Sequence, residues 1–258
     1  MLERIVVEAI VAIAEAAGKA VMEIYGQDFA IEYKDDQSPL TEADTRSHEL
    51  IVGALKARYP EIPVLSEEGK GIPYEERSRW EYFWLIDPID GTKEFIKKNG
   101  EFTVNIALIH RETPVLGVVY APALGEMYWA KRGEGAYKNG VRLPLFVNAY
   151  PEKRLKVVAS KSHLSAETQA FIDALAQSTE TIEQVSRGSS LKLCMVAEGT
   201  ADLYPRMGPT MEWDTAAADA VVRESGKMTC RYDPAAPQHR DPLVYNKVSL
   251  LNPWFIVS

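Results

Sequence analysis

Apolar residues at the start of the chain recur at the spacing of an amphipathic helix. Three acidic residues, Glu3, Glu8 and Glu15, interrupt the stretch, which leaves no uncharged run long enough for a membrane helix. The polar side is acidic rather than rich in lysine, which disfavours a helix lying on a membrane surface. We therefore predict a helix that packs on the core and remains in the mature protein. Its apolar positions are Leu2, Ile5, Val6, Ala9, Ile10, Ile13 and Ala17.

A second amphipathic helix is predicted after Thr41. Thr41 stands three residues before Asp44, an arrangement that resembles a capping box, and Pro60 marks the end of the helix. Further helices are predicted over 166–176, 189–196 and 215–225, since each begins or ends at a capping residue or a glycine. The predicted core-facing residues of the second helix are Leu50, Ile51, Ala54 and Leu55.

Short apolar runs bounded by turn residues predict the strands. Two of them, 102–109 and 114–120, flank a charged turn, and Asn139-Gly140 is a strong hairpin signal. Antiparallel strands with helices come first, and a βαβα-like rhythm follows. This order predicts an α/β (α+β) fold of two lobes, residues 1–148 and 149–258. The other predicted strands cover 30–33, 62–65, 82–86, 127–130, 157–159, 201–204 and 254–257.

Composition narrows the class of protein. The chain has 258 residues, 46% of them hydrophobic and 26% charged, which is ordinary for a globular protein with a substantial core. A net charge of −8 argues against binding a nucleic-acid polymer or an anionic membrane through bulk charge. The two cysteines, Cys194 and Cys230, are too few and too far apart for a disulfide framework or a zinc ribbon. We expect a cytoplasmic protein with no membrane-spanning segment, and peripheral association with the inner face of the inner membrane stays an open alternative.

The most informative stretch is residues 84–92, which read WLIDPIDGT. An apolar strand here runs directly into two carboxylates, Asp87 and Asp90, with Pro88 fixing the backbone and Gly91 allowing a tight turn. The backbone N–H groups of Gly91 and Thr92 would face outward as the start of the next segment. Carboxylates beside an anion-binding turn are chemically sensible when hard divalent cations lie between them, as Mg²⁺ does with phosphate oxygens. An isolated motif of this kind is also common as a turn with Asx hydrogen bonds.

Other acidic residues raise the expectation of a metal site, and each also has an ordinary structural interpretation. Glu67 and Glu68 follow a predicted strand, where a solvated charge pair is the alternative. Asp44 and Asp214 lie at predicted helix starts, where helix capping is the alternative. The two residues between Asp87 and Asp90 exclude the Asp-x-Asp motif of haloacid-dehalogenase-type phosphatases, and the pattern does not match an EF-hand. Carboxylates at several strand and helix ends together predict a site for more than one Mg²⁺ ion.

These residues resemble the lithium-sensitive, Mg²⁺-dependent phosphatases of the inositol monophosphatase superfamily. The likeness rests on WLIDPIDGT, with Glu67-Glu68 upstream and Trp213-Asp214 downstream, and it extends over essentially the whole chain. Within the superfamily the chain is most similar to the CysQ-type 3′(2′),5′-bisphosphate nucleotidases. This closer likeness is carried by GTKEFIKKNGEFTVNIALI at 91–109, RGSSLK at 187–192 and ADLYPRMGP at 201–209. The resemblance implies a layered α-β-α-β-α sandwich of the sugar-phosphatase type, with the site between the two lobes.

The resemblance also implies the roles of individual residues at the reaction centre. The carbonyl oxygen of Ile89 would complete the shell of one metal, and two or three Mg²⁺ ions are implied. Thr92, paired with Asp44, would orient and deprotonate the attacking water, and Glu68 would support the site from behind the ligands. The metal-ligating carboxylates implied by the family are Glu67, Asp87, Asp90 and Asp214.

The substrate implied by the resemblance is a small phosphorylated nucleotide, adenosine 3′,5′-bisphosphate, which would yield AMP. Lys192 and Arg206 would hold its second phosphate, although a solvated cation on a helix face is the alternative for both. An inositol monophosphatase-like or fructose-bisphosphatase-like enzyme with the same metal core is the alternative function, and a non-catalytic metal or nucleotide sensor is a more remote one. A monomer and a homodimer are both compatible with the sequence. The residues implied to contact substrate are Glu67, Asp87, Ile89, Asp90, Gly91, Thr92, His163, Ser189, Lys192, Arg206 and Asp214.

Overall fold

The secondary structure alternates between helices and strands along the whole chain. It was obtained from a computed structural model that describes residues 1–33, 39–149, 153–160 and 164–258. A short 3₁₀ turn, Leu2–Arg4, precedes the first helix. The elements, in chain order, are α1 (Val7–Tyr25), β1 (Ile31–Tyr33), β2 (Pro39–Thr41), α2 (Glu42–Arg58), β3 (Val64–Ser66), α3 (Tyr74–Arg77), β4 (Tyr82–Asp90), α4 (Thr92–Ile96), β5 (Thr103–His110), β6 (Thr113–Ala121), β7 (Glu126–Lys131), β8 (Gly135–Lys138), β9 (Val141–Arg142), β10 (Arg154–Ala159), α5 (Ala166–Leu175), β11 (Thr181–Ser186), α6 (Leu191–Glu198), β12 (Tyr204–Arg206), α7 (Glu212–Glu224), β13 (Thr229–Arg231) and β14 (Phe255–Val257).

A seven-stranded sheet carries the first half of the chain, with the strand order β3-β4-β5-β6-β7-β8-β9. Strands β4 to β9 pair antiparallel with their sequence neighbours, whereas β3 and β4 are parallel. Because β3 and β4 run in the same direction, their carboxyl ends meet at one edge, where Ser66 lies opposite Ile86. The hairpin between β8 and β9 turns at Asn139 and Gly140, whose φ angles of 47° and 80° suit a two-residue hairpin turn.

Helices α1 and α2 cover one face of this sheet. Ile10 and Ala14 of α1 and Ile51 and Leu55 of α2 are buried against alternate residues of β4 and β5. The alternation follows from the period of two along a strand, which sends successive side chains to opposite faces. The strand residues that meet α1 and α2 include Trp84, Ile86, Val104, Ile106 and Leu108.

Helices α6 and α7 cover the opposite face. The small residues of α7 let it lie very close to the sheet, since a Cβ at Gly117 of β6 would stand only 2.1 Å from the carbonyl oxygen of Ala217. Only glycine permits that approach between helix and strand backbones. The strand residues on this face include Phe83, Leu85, Ala107, Ile109 and Val119.

The second half of the chain adds smaller sheets beyond α6 and α7. Strands β10 and β11 pair in parallel, and β12, β14 and β13 form an antiparallel sheet in that order. An isolated bridge between Val157 and Leu203 joins the two sheets, and Ile172 of α5 packs beside it. The layers therefore run helix, sheet, helix, sheet, helix, which confirms the predicted α/β fold class. The lobe boundary near residue 148 stays a prediction.

The structure corrects several details of the predicted elements. The first α-helix begins at Val7 rather than near Leu2, and Leu50 of α2 is 41% exposed instead of facing the core. The helix predicted from residue 189 begins at Leu191, because Ser189 has a left-handed φ of 43°. The strand predicted over 201–204 overlaps β12 only at Tyr204, and the helix predicted over 215–225 begins earlier, at Glu212 of α7. Strands β11 and β13 were not predicted; β11 has no buried residue to produce an apolar run, and β13 is only three residues long.

Among the described residues, no helix is both long enough and apolar enough to cross a lipid bilayer.

Candidate active site

The carboxylates of the WLIDPIDGT motif are presented by an irregular end of β4. Asp87 pairs with Asn105 and Asp90 with Thr103, so three residue steps on β4 oppose two on β5. This bulge lifts the intervening Pro88 and Ile89 out of the ladder. The Ile89 N–H turns inward and donates to Asp87 Oδ1 at 3.1 Å, which fixes that carboxylate. The sequence therefore determines the turn locally, through a proline between two aspartates.

Three carboxylates from separate elements converge at this edge of the sheet. Glu67 directly follows β3, and its N–H donates to the Ile86 carbonyl oxygen at 3.1 Å. Asp214 comes from the first turn of α7, which reaches across the sheet face. One carboxylate oxygen from each of Glu67, Asp87 and Asp214 lies within 4.8 Å of the other two, the spacing of residues that can share a metal ion. Asp214 also caps α7, although not as the N-cap residue itself: Met211 is the N-cap, and Asp214 accepts its N–H at 2.9 Å from the third helical position.

Asp90 is tied to Asp214 by a serine that the sequence did not single out. The Ser190 hydroxyl lies 2.8 Å from Asp90 Oδ2 and 2.7 Å from the Asp214 carbonyl oxygen, and its one proton can be donated to either acceptor. Asn105 Nδ2 donates to Ser190 Oγ at 2.8 Å. Asn105 is 1% exposed. In the sequence it is a polar residue within the apolar strand β5, and that interruption was the signal that could have identified it as a site residue. Nothing in the sequence distinguished Ser190 from the adjacent Ser189 as a residue that contacts the carboxylates.

The electrostatics of the cluster favour cation binding. Burial raises the pKa of Asp87 well above its usual range, and the charges of Glu67, Asp90 and Asp214 raise it further. Burial and the charge of Asp90 also raise the pKa of Asp214. The pKa of Asp90 is also raised by burial, although Lys192 and Ser190 oppose the shift. Several carboxylates so close together repel one another unless protons or cations offset their charge, and oxygen donors of this kind suit Mg²⁺.

Asp44 and Thr92 lie together beside the cluster. Asp44 is 1% exposed, and its Oδ2 accepts hydrogen bonds from the Thr41 N–H at 2.8 Å and the Thr41 hydroxyl at 2.6 Å. The Thr92 hydroxyl donates to Asp44 Oδ1 at 3.2 Å, and the Ile89 carbonyl oxygen is a second acceptor at 3.3 Å. Asp44, in the first turn of α2, therefore both caps that helix and accepts a hydrogen bond from Thr92.

Glu68 acts on this pair through its charge. Burial raises the pKa of Asp44, and Glu68 raises it further, against the hydrogen bonds from Thr41 and Thr92. Glu67, the neighbour of Glu68, belongs to the carboxylate cluster, which indicates that the two adjacent acids have separate roles.

A cleft of about 500 Å³ connects the carboxylates to two cations of the second half. Lys192 and Arg206 are 6% and 8% exposed, and the Lys192 ammonium lies 5.6 Å from the centre of the Tyr204 ring. Lys192 Nζ donates to the Ser189 carbonyl oxygen at 2.6 Å, and Arg206 Nη2 donates to the Pro209 carbonyl oxygen at 2.9 Å. Both cations are therefore buried at the cleft rather than solvated on a helix face.

The structure brings most of the predicted substrate contacts to this cleft. Gly91, with a φ of 92°, precedes α4 directly, and Ser189 lies opposite it. His163 lies outside the described residues. The predicted site residues that line the cleft are Glu67, Asp90, Gly91, Thr92, Ser189, Lys192, Arg206 and Asp214.

Comparison with known proteins gives one consistent result. The profile of the inositol monophosphatase family matches residues 2–253. The 3′(2′),5′-bisphosphate nucleotidase CysQ of Escherichia coli (strain K12) is 46% identical over 252 residues, covering 95% of this chain and 96% of that protein. The protein of the same name from Salmonella typhimurium is 49% identical over 224 residues, covering 85% of this chain and 87% of that protein.

Solved structures agree with the sequence comparison. The crystal structure of CysQ from Bacteroides thetaiotaomicron, described as a bacterial member of the inositol monophosphatase family, superimposes with a TM-score of 0.85 at 44% identity. The match covers 98% of this chain and 96% of that one. The chain therefore belongs to the inositol monophosphatase family.

Proposed function

We propose that this protein is a Mg²⁺-dependent 3′(2′),5′-bisphosphate nucleotidase that removes the 3′-phosphate of adenosine 3′,5′-bisphosphate, a by-product of sulfate assimilation, to give AMP. The observation that carries the proposal is the cleft, in which clustered carboxylates share one space with the buried cations Lys192 and Arg206. A substrate with two phosphates suits such a cleft, since one phosphate can reach the metal ligands while the other meets the cations. The names of the similar proteins support the same activity.

The donor set fits Mg²⁺. Glu67, Asp87, Asp90 and Asp214, together with the Ile89 carbonyl oxygen, would hold the ions. These are hard oxygen donors. Burial first, and then the charges of neighbouring carboxylates, raise the pKa of Asp87 and of Asp214, and bound cations would relieve that repulsion. When bound, the ions would offset the charge of the carboxylates and the phosphate, polarise the phosphoryl group and acidify a water molecule.

The Asp44–Thr92 pair would orient the attacking water. Asp44 Oδ1 accepts the Thr92 hydroxyl proton, so the lone pairs of Thr92 Oγ1 are left to accept a hydrogen bond from water. Thr92 has no useful basicity alone, and its hydrogen bond to Asp44 fixes the direction of that acceptor. The water oxygen would then bond to phosphorus as the bond between phosphorus and the ester oxygen breaks. The water proton would pass to Thr92 Oγ1 as the Thr92 hydroxyl proton passes to Asp44, and the ester oxygen would take up a proton from solvent.

The chemistry needs no covalent intermediate on the protein. Cys194 lies on the buried side of α6, and burial raises the pKa of its thiol well above the usual range. A thiol that stays protonated is a poor nucleophile. Direct attack by water in line with the leaving oxygen is therefore the proposed route.

Lys192 would set the preference for a second phosphate. Burial lowers the pKa of its ammonium to about 8, so the side chain still carries a positive charge at neutral pH. Arg206 has a planar guanidinium that can pair with two phosphate oxygens at once. Removal of either charge is expected to weaken binding of the phosphate that does not react.

A phosphate-release panel tests the proposal. The substrates are adenosine 3′,5′-bisphosphate, its 2′,5′ isomer, the 3′-phosphorylated sulfonucleotide and inositol 1-phosphate, each with and without Mg²⁺. The expected result is Mg²⁺-dependent release with the highest kcat/KM for a bisphosphate nucleotide. Strong release from inositol 1-phosphate with none from the nucleotides would overturn the proposed substrate, and binding without turnover on any phosphomonoester would overturn the enzymatic role.

A further inference from the structure

A loop from the second half of the chain supplies one wall of the cleft. The loop consists of residues 187–190 and is called here the 187–190 loop. Gly188 and Ser189 line the cleft, and Ser190 contacts the carboxylates. Ser189 holds a left-handed φ of 43°, which is unfavourable for a residue with a side chain. Contacts from outside the loop must therefore hold it in this shape.

Glu101 supplies those contacts from the first half of the chain. It lies between α4 and β5, and its Oε1 accepts Arg187 Nη1 at 3.0 Å. Its Oε2 accepts the Gly188 N–H at 2.9 Å, and its carbonyl oxygen accepts the Ser189 hydroxyl at 3.1 Å. One residue thus binds three successive residues of the loop, with a full charge on the side-chain bonds.

The fit between Glu101 and the loop is close. A Cβ at Gly188 would stand 2.5 Å from the Glu101 carbonyl oxygen and 2.8 Å from Glu101 Cβ. Any other residue at 188 would push the two segments apart. Glu101 therefore packs directly against the backbone of the loop, in addition to forming an ion pair with the Arg187 side chain.

The same loop also binds Lys192, through two of its backbone carbonyl groups. Lys192 Nζ donates to the Ser189 carbonyl oxygen at 2.6 Å and to the Arg187 carbonyl oxygen at 3.4 Å. The position of the ammonium therefore follows the position of these two carbonyl groups. Glu101 fixes the loop, and the loop fixes the ammonium.

We infer that Glu101 is a positioning residue that holds the 187–190 loop, and through it the Lys192 ammonium, in place for the second phosphate of the substrate. This role rests on the proposed function, because it concerns the phosphate that does not react. Glu101 acts on binding and not on the reacting phosphoryl group. Its loss should therefore change KM far more than kcat.

The test compares Glu101→Ala and Glu101→Gln with the wild type. Steady-state kinetics on adenosine 3′,5′-bisphosphate give KM and kcat, and calorimetry gives the Kd of AMP, which carries only the second phosphate. Glu101→Ala is expected to raise both KM and Kd by roughly five- to thirty-fold with kcat unchanged, as the loss of charged hydrogen bonds predicts. Glu101→Gln is expected to lie between, since its amide oxygen still accepts the Gly188 N–H but its amide nitrogen cannot pair with Arg187.

The matched control is Glu183→Ala. Glu183 lies on β11 and pairs with Arg154 at 2.8 Å, so the variant also removes an ion pair with an arginine, and it should keep the wild-type KM. Thermal unfolding of each variant shows that it is folded. A wild-type KM and Kd in Glu101→Ala, or a loss confined to kcat, overturns the role of Glu101. A wild type that neither hydrolyses the bisphosphate nor binds AMP overturns the proposed function instead.

Discussion

Replacing Ser190 with alanine tests whether the carboxylates act as one unit. The Ser190 hydroxyl is the shared partner of Asn105 Nδ2, Asp90 Oδ2 and the Asp214 carbonyl oxygen, all within 2.8 Å. Its loss leaves Asn105 Nδ2 without this acceptor and frees the Asp90 carboxylate to rotate. Asp90 is a predicted metal ligand, so a change in its support should appear in the affinity for the metal.

Two magnitudes follow from the contacts. A buried polar group that loses its partner costs about 1–3 kcal/mol, which for a chain of this length lowers Tm by roughly 2–10 °C. Loss of the hydrogen bond behind a metal ligand weakens metal binding or activity by about 10- to 100-fold. Ser190→Ala should therefore need a higher Mg²⁺ concentration for half-maximal activity by a factor in that range.

The assay is the initial rate of phosphate release against free Mg²⁺, with Tm measured on the same preparations. Ser225→Ala is the control, because the Ser225 hydroxyl is also buried and donates to the Val222 carbonyl oxygen at 2.7 Å at the far end of α7. It should lose stability without a change in Mg²⁺ dependence. A Ser190→Ala variant that is less stable but has the wild-type Mg²⁺ dependence would refute the reasoning.

Four further predictions follow from the site and its surroundings. Asp90→Asn should lower kcat by at least about 100-fold while its Tm without Mg²⁺ stays near that of the metal-free wild type, because it removes a metal ligand and no core packing; wild-type kinetics would contradict the assigned site. Lys192→Ala should raise KM for the bisphosphate by about 10- to 100-fold, the value of a charged hydrogen bond, and an unchanged KM would remove the second-phosphate contact. Chelation by EDTA should abolish activity and lower Tm, and Mg²⁺ should restore both, since ions that bind only the folded chain stabilise it; a Tm indifferent to Mg²⁺ would count against the metal site. Burial lowers the pKa of His48 below its usual 6.5, so the unfolded chain binds a proton more readily and this contribution to stability falls as pH drops through about 6.5. His48→Gln should therefore show a smaller drop in Tm between pH 7.5 and 5.5 than the wild type, and an equal drop would show that His48 contributes nothing.

The parts of the site that are contiguous in sequence were predictable. Asp87 and Asp90 are separated by a proline turn at the end of an apolar strand, and both the strand and the turn can be read from local chemistry. Glu67 and Asp214 are different, because their approach to Asp87 depends on the parallel pairing of β3 with β4 and on the path of α7. Local patterns do not encode those pairings. The positions of the two acids at a strand end and a helix start suggested a shared site, and the likeness to a family assigned them to it.

Side-chain contacts between distant segments could not be predicted. Ser190 and Glu101 owe their positions to the meeting of the two halves of the chain. Both lie in segments that carry the family likeness, 187–192 and 91–109, but no local pattern singles out either residue. Leu50 shows the opposite error. Helical periodicity predicted that it would be buried on the same face as Ile51, but its side chain is exposed on α2. Periodicity indicates a face of a helix, whereas burial depends on how far the neighbouring elements extend.

The close approach of α7 to β6 at Gly117 has a consequence for how this scaffold can change its specificity. The main chain of the helix rests directly on the main chain of the strand, and Asp214 lies one turn from Ala217, the residue at that contact. Because the two backbones are in direct contact at this point, their separation cannot be tuned by exchanging one side chain for another. The carboxylate end of the cleft is thus held by a direct contact between backbones. A change of specificity is therefore expected among lining residues on other segments, such as Leu164, which can be exchanged without altering that contact.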